Sequence, residues 1–366
     1  MLIYTIQEVN MSNCIKIINT NALEHNLKYI KRQLSKNTKL CAVVKDDAYG
    51  HGIKNVLPTL LYYADYFAVA TIDEAIQLRN LTTLPILILG EFQIADLDKV
   101  IKNNLEITIS CIQSLKEVIE IEKTKTINVH IAIDSGMHRL GFYKPQDFTK
   151  AIKLIQKHKN LILKGVYSHV GDAQNTTRLE KQKEAFDKFY NLIPSSMHPI
   201  IHIANTDTMQ ADNSMHCNMV RIGIGLYGYG NDALLPVMSV AAKIVHTIHL
   251  NCEGFVGYGS THRLPKGTIL GVVAIGYGQG YLRAYGQFGS VIVNGKLCKI
   301  VANVCMDMLI IDITKATCKL GDYAIVMGKQ GIHTIDANLL ATFGKTICYE
   351  VLTNFGQIKN SALVHD

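Results

Sequence analysis

The stretch Lys39-Leu-Cys-Ala-Val-Val-Lys45-Asp-Asp-Ala-Tyr49-Gly-His51-Gly52 decides how the chain is read. Leu40 to Val44 is short, apolar and partly β-branched, the composition of a strand buried on both faces. It runs into a lysine, two aspartates and a Gly-His-Gly turn. Side chains alternate along a strand, so Lys45 shares a face with Val43 and Cys41. An amine at the mouth of an apolar strand is partly desolvated and is a better nucleophile toward a carbonyl. Capture of an aldehyde as a Schiff base is the natural use. Tyr49 and His51 lie in the glycine-punctuated loop beyond, where function concentrates more than packing does.

Working outward, 366 residues suffice for two domains and a sizeable core. Hydrophobic residues make up 48% and charged residues 18%, as in ordinary globular enzymes. The net charge of +7 is spread through helix-like stretches, which argues against nucleic acid as a partner. Nine cysteines, an odd number with no Cys-x-x-Cys pair, read as reduced thiols in a cytoplasmic protein. No apolar run reaches membrane-spanning length, so no membrane partner is expected. The first residues carry Glu8 and no cleavage pattern, so no signal peptide is expected, and Met11 is an alternative start.

Helical spacing at Leu23, Leu27 and Ile30 precedes the Lys45 strand. Strand-like runs then recur at Tyr66–Ala70, Pro85–Leu89, Glu106–Ile109, Asn128–Asp134, Leu163–Ser168, Ile200–Ala204 and Met219–Ile222, with helix-sized gaps between them. Thr71-Ile-Asp-Glu74 is a capping box opening one of those helices. About eight βα units predict an α/β fold, a TIM-like (β/α)₈ barrel, with a doubly wound open sheet as the alternative. After Pro236 the helical gaps largely vanish, and Asn294-Gly295 marks a hairpin. A helix is expected at Asp336–Phe343 and a last strand at Thr346–Leu352. The expected division is an extension over 1–13, which could add a strand to the C-terminal domain, a barrel over 14–235 and a mostly β domain over 236–366.

In such barrels the chemistry gathers at the C-terminal ends of the strands. Asp134-Ser-Gly-Met-His-Arg139-Leu-Gly141, His169, Asn205-Thr206 and Arg221-Ile-Gly223-Ile224-Gly225 all fall there. Loops after the last two strands commonly hold a phosphate on backbone N–H groups, and glycine permits close approach. Gly223-Ile-Gly225-Leu-Tyr-Gly228 also matches a dinucleotide pattern, but it closes the α/β half instead of opening a βαβ unit. Asp46, Asp47 and His51 lack a companion set, so no metal is expected. The β half adds Tyr258 between two glycines and Cys305-Met306-Asp307-Met308 between two strands. A phenol is a base only where cationic neighbours favour its ionised form.

These motifs together resemble the bacterial alanine racemases. The resemblance spans about residues 15 to 352 and is carried by the Lys45 segment, Asp134-Ser-Gly-Met-x-Arg139-Leu-Gly141, Ala204-Asn205, Arg221-Ile-Gly-Ile224, Gly257-Tyr258-Gly259, Ile275-Gly-Tyr277 and Val304-Cys-Met-Asp307. It implies pyridoxal 5'-phosphate (PLP) as cofactor, held by Lys45 through an imine, and a homodimer whose active sites each combine one barrel with the partner's β domain. Lys45 and Tyr258 would be the two bases. Tyr49, His169, Asn205, Thr206, Arg221, Gly223 and Ile224 resemble the cofactor-binding set. Arg139, Met306 and Asp307 resemble the substrate-binding set, and Tyr277 an entry gate.

The chain departs from the family pattern at Ala132, where a carbamylated lysine is common, and at Asn303, Gly278 and Gln279. Gln357-Ile-Lys-Asn-Ser-Ala362 replaces the usual Arg-Val-Pro-Arg-x-Tyr, which removes a tyrosine expected to bind the phosphate. The resemblance implies interconversion of L- and D-alanine, supplying D-alanine for peptidoglycan. The rival readings are a broad-specificity amino-acid racemase of the same fold and a non-catalytic PLP-binding protein.

Overall fold

The structure, a computed structural model, describes residues 12–287 and 289–365. Residues 1–11, most of the expected N-terminal extension, lie outside the described residues. The chain divides into two compact units. One comprises Asn26–Asp46 and Thr59–Leu226; the other takes the residues up to His25, the segment Asp47–Pro58 and the chain from Tyr227 onward.

The first unit is the barrel. Its strands are β2 (Lys39–Val43), β3 (Tyr66–Val69), β4 (Ile86–Ile88), β5 (Glu106–Ile109), β6 (Ile127–Ala132), β7 (Leu161–Tyr167), β8 (Ile200–His202) and β9 (Met219–Ile222), in the order β8-β7-β6-β5-β4-β3-β2-β9. Every pairing is parallel. Backbone bonds from Asn218 N to Ile201 O (3.0 Å) and Arg221 N to Ala204 O (2.9 Å) bring the two ends of the sheet together, so the open-sheet alternative does not apply. All eight expected strands are present. They were legible because helices cover parallel strands outside and the barrel fills inside, leaving continuous apolar runs.

The capping box expected at Thr71 is also present, and it reaches toward the Lys45 segment. Thr71 Oγ1 accepts from Glu74 N (3.3 Å), while Glu74 Oε2 accepts from Ala70 N (2.8 Å) and Thr71 N (3.0 Å). The other carboxylate oxygen of Glu74 accepts from Asp46 N at 2.6 Å. One side chain thus starts the helix Ile72–Arg79 and fixes the backbone just after Lys45.

The second unit is mostly β. Its sheet runs β15 (Lys296–Lys299), β14 (Ser290–Val293), β17 (Tyr323–Gln330), β10 (Met238–His249), β1 (Cys14–Asn19) and β19 (Ser361–Val364). Two sequence expectations are corrected here. Cys14–Asn19, placed in the barrel domain and not counted as a strand, pairs antiparallel with β10 and parallel with β19. Thr346–Leu352, expected as a strand, is largely the helix Cys348–Phe355. Val351, Leu352 and Phe355 are its buried residues, a spacing of one helical face, and the β-branched content of the run was the misleading signal. Among the described residues, no helix is long and apolar enough to cross a membrane.

The barrel interior carries a chain of polar side chains that apolar periodicity does not reveal. Arg221 Nη1 donates to His202 Nδ1 at 2.8 Å. His202 Nε2 must then carry the proton and donate to His130 Nδ1 at 2.9 Å, and His130 Nε2 donates to Glu106 Oε2 at 2.7 Å. Tyr66 donates its hydroxyl to the same carboxylate oxygen at 2.5 Å. All five residues are buried. Gly165 makes room for the imidazoles, since a Cβ there would lie 2.2 Å from His130 Nδ1. Desolvation first, then the Arg221 and His130 charges, hold the His202 pKa well below its ordinary value.

Three outcomes follow. Thr71→Ala should lower stability by about 1 kcal/mol in urea unfolding, the usual worth of such a cap. Glu106→Gln should cost about 1–3 kcal/mol, because it removes the buried negative charge at the end of the relay and leaves the bonds from Tyr66 and His130 without charge assistance. His202 refuses a proton that the unfolded chain accepts below its ordinary pKa of about 6.5, so the urea midpoint should fall between about pH 7 and pH 5. A midpoint that stays level across that window contradicts the protonation pattern.

Candidate active site

The expected site residues divide between the units. Lys45, Arg139, His169, Asn205, Thr206, Arg221, Gly223 and Ile224 belong to the barrel unit; Tyr49, Tyr258, Tyr277, Met306 and Asp307 belong to the other.

Lys45 stands two residues past β2, half-buried, after Val44 has made a last barrel bond to Ala68 O (2.9 Å). The backbone then does something rare. Asp46, Asp47, Ala48 and Tyr49 have φ of 53°, 51°, 58° and 53°, followed by Gly50 at 79°. This is a left-handed turn, and each L-residue in it costs roughly 1–2 kcal/mol. Such a course persists only where the surroundings over-determine it. Gly52 N bonds Asp47 O (2.9 Å), His51 N bonds Ala48 O (3.1 Å), and Ile53 N bonds Asp47 Oδ1 (2.8 Å).

Arg221 lies on β9, and its guanidinium donates to His202 O (2.9 Å) and Ser168 O (2.6 Å) besides His202 Nδ1. It reaches within 3.5 Å of His169 Nδ1 and lies over the Tyr167 ring at 5.1 Å. Desolvation, then the charges of Arg221, Arg139 and Lys45, push the His169 pKa down to about 3. The same charges that keep this imidazole neutral make the mouth of the barrel attractive to anions.

Arg139 is exposed on a loop that staples itself. Asp134 Oδ1 accepts from Gly136 N and His138 N, both at 2.9 Å, and Gly141 packs its Cα against the Asp134 backbone where a Cβ would lie 2.6 Å from N. Buried Ala132 ends β6 beside Tyr167. Burial pushes the Tyr167 phenol up, against the Thr108 hydrogen bond and the Arg221 and Arg139 charges, and Glu91, which accepts from Ser110 Oγ, adds to the rise.

Asn205 Oδ1 caps the helix Thr206–Ala211 by accepting from Thr208 N (2.9 Å), and its Nδ2 donates to Val170 O (3.1 Å). Thr206 Oγ1 accepts from Gly225 N at 3.2 Å. A Cβ on Gly225 would sit 2.9 Å from Thr206 Cγ2, so glycine is what lets the loop after β9 lie against this helix.

In the other unit, Tyr258 is 72% exposed between Gly257 (φ 70°) and Gly259 (φ 80°). Its carbonyl accepts from Asn303 Nδ2 at 2.8 Å, so the residue that departs from the family pattern supports this loop. Tyr277 N bonds Cys305 O (3.2 Å) and Gly278 N bonds Met306 O (2.8 Å). Gln279 joins the same loops, accepting from Gly276 N (3.0 Å) and donating to Asp307 Oδ1 (2.9 Å). Tyr49 is buried, with its ring 5.0 Å from Tyr227 and 5.9 Å from Tyr349.

Sequence reading missed Glu106, His130 and His202, whose only signal was a polar residue inside an apolar strand. It also missed Tyr349, because the phenol was sought in the C-terminal tail, whereas the structure brings one to Tyr49 from the helix Cys348–Phe355.

The donor set fits PLP. The barrel mouth offers a half-buried amine for an aldehyde, a buried guanidinium for a ring nitrogen and a glycine loop beside a helix start for a phosphate. Among the described residues Arg221 makes no ion pair with a carboxylate, so its donor capacity is not spent on one. The comparisons agree. The model of the alanine racemase N-terminal domain matches residues 18–231 and that of the C-terminal domain residues 237–361. An alanine racemase of Thermodesulfovibrio yellowstonii is 35% identical over 350 residues, covering 93% of this chain and 94% of the relative. The crystal structure of alanine racemase from E. faecalis superposes with a TM-score of 0.92 at 29% identity, covering 96% of this chain and 98% of that one. That of alanine racemase from Bartonella henselae with covalently bound pyridoxal phosphate gives 0.86 at 25% identity, covering 96% and 100%. The chain belongs to the alanine racemase family.

Proposed function

We propose that this protein interconverts L- and D-alanine with PLP bound at Lys45. The observation that carries the proposal is the barrel mouth itself: half-buried Lys45 follows the strand paired with β9, and the buried Arg221 guanidinium on β9 reaches within 3.5 Å of His169 Nδ1. When bound, the cofactor acidifies the substrate Cα–H by drawing its electrons into the ring.

The chain's own residues do the rest. Arg221 would donate to the ring nitrogen and, being unable to surrender its proton, would leave that nitrogen unprotonated. Tyr49, Asn205, Thr206 and the backbone of Gly223 and Ile224 hold the phosphate, with Tyr349 as a further phenol on the Tyr49 side. Arg139, the backbone of Met306 and Asp307 orient the substrate carboxylate, and Tyr277 guards entry. Inversion needs a proton removed from one face of Cα and returned to the other. The Lys45 amine serves one face. The Tyr258 phenol, contributed by a second copy of the chain, serves the other, and its 72% exposure leaves it available to such a partner. The working form is thus a homodimer, and D-alanine for peptidoglycan is made in the cytoplasm.

Incubating the holoenzyme with L-alanine should yield D-alanine, read by chiral chromatography. Tyr258→Phe should slow that conversion about 100-fold or more while leaving the visible absorbance of the Lys45-bound cofactor intact. Lys45→Ala should lose the absorbance itself. A fully active Tyr258→Phe would refute the two-base assignment, and cofactor uptake without D-alanine would favour a non-catalytic PLP-binding protein.

A further inference from the structure

The left-handed turn after β2 is supported by a residue that the proposed reaction does not use. Lys16 lies on β1, opposite Val240 of β10 and Ser361 of β19, between buried Ile15 and Ile17. It is only 3% exposed. Lysine in a central strand is rare, because its charge must be desolvated. Its Nζ donates to Gly50 O at 2.8 Å and to Gly356 O at 3.3 Å. Desolvation draws its pKa down, and the Asp47 carboxylate pulls the other way.

The two glycines meet backbone to backbone. A Cβ on Gly50 would lie 2.4 Å from Leu352 O, and one on Gly356 would lie 2.9 Å from Gly50 Cα. The ammonium therefore bridges two carbonyls at a contact too tight for side chains. Beside it, His51 Nδ1 lies 2.9 Å from Ala48 O and 3.1 Å from Tyr49 O, and its ring stacks on Tyr227 at 4.3 Å. Both partners are acceptors, so Nδ1 carries the proton and ties off two further carbonyls of the turn.

We propose that Lys16 is a positioning residue for cofactor retention. Its buried ammonium clamps the Gly50 carbonyl to the Gly356 carbonyl and so holds the left-handed course that sets Tyr49 and, through the continuous chain, Lys45. This rests on the reading that the turn carries the cofactor lysine. Lys16→Met keeps the unbranched stem, one atom shorter, and removes both donated bonds. Ile15→Val, on the same strand, is the control for lost packing alone.

Hydrogen exchange of the full-length, cofactor-free protein reads the clamp directly. The His51 and Gly52 amides, which bond Ala48 O and Asp47 O, should exchange about tenfold faster in Lys16→Met and be unchanged in Ile15→Val. Titration with PLP, followed by the visible absorbance of the Lys45 adduct, should give a dissociation constant about tenfold higher in Lys16→Met. Unchanged exchange at the turn, an unchanged dissociation constant, or an equal loss of affinity in Ile15→Val would each overturn the proposal. A wild-type protein that takes up no cofactor would overturn the racemase reading instead, while the exchange difference still reports the clamp.

Discussion

A guanidinium sealed inside a parallel barrel needs its charge answered, and here the answer is relayed. Among the described residues Arg221 makes no ion pair; three hydrogen bonds and two imidazoles separate it from the Glu106 carboxylate. Desolvating an isolated cation would cost several kcal/mol, so the relay and the carbonyls of Ser168 and His202 are what make its burial tolerable. In the proposed reaction the arrangement would also have a chemical use. A carboxylate in direct contact would quench the donor and favour a protonated ring nitrogen, whereas a distant one leaves a permanent hydrogen-bond donor at the barrel mouth.

The second constraint is conformational. Four consecutive non-glycine residues follow Lys45 in the left-handed region, where the two aspartates are tolerated as single residues but a run ending in Ala48 and Tyr49 is not favoured locally. The turn is held from several sides, by Glu74 at Asp46, by the amides of residues 51–53, by His51 and by Lys16. Arg139 is handled differently, since its loop is built by the Asp134 carboxylate accepting from its own successors. One candidate side chain is thus placed by local contacts joined to distant ones, and the other by contacts within its own motif.

The barrel was readable because each strand is an apolar run separated from the next by a helix-sized gap. Candidate residues could be assigned to its mouth because chemistry in such barrels gathers at strand ends. The errors have physical causes too. β1 was passed over because Lys16 interrupts its apolar pattern, and the lysine is tolerated only through two carbonyls from distant segments. The helix Cys348–Phe355 was taken for a strand because Ile347 and Val351 suit either structure, and burial of Val351, Leu352 and Phe355 decides between them. Glu106, His130 and His202 looked like scattered polar residues until strand register set them in a row.

What the sequence alone determined is what depends on a few neighbouring residues: where strands begin and end, that a capping box opens the helix after β3, and that a lysine, an arginine loop and a glycine loop stand at strand ends in the order of one family. The tertiary structure decided the partners: which imidazole takes the Arg221 proton bond, which phenol meets Tyr49, and which way the chain winds after Lys45. The partners depend on groups tens to hundreds of residues apart, and in the left-handed course the bonds from Glu74 and Lys16 join the turn's own to offset its local cost.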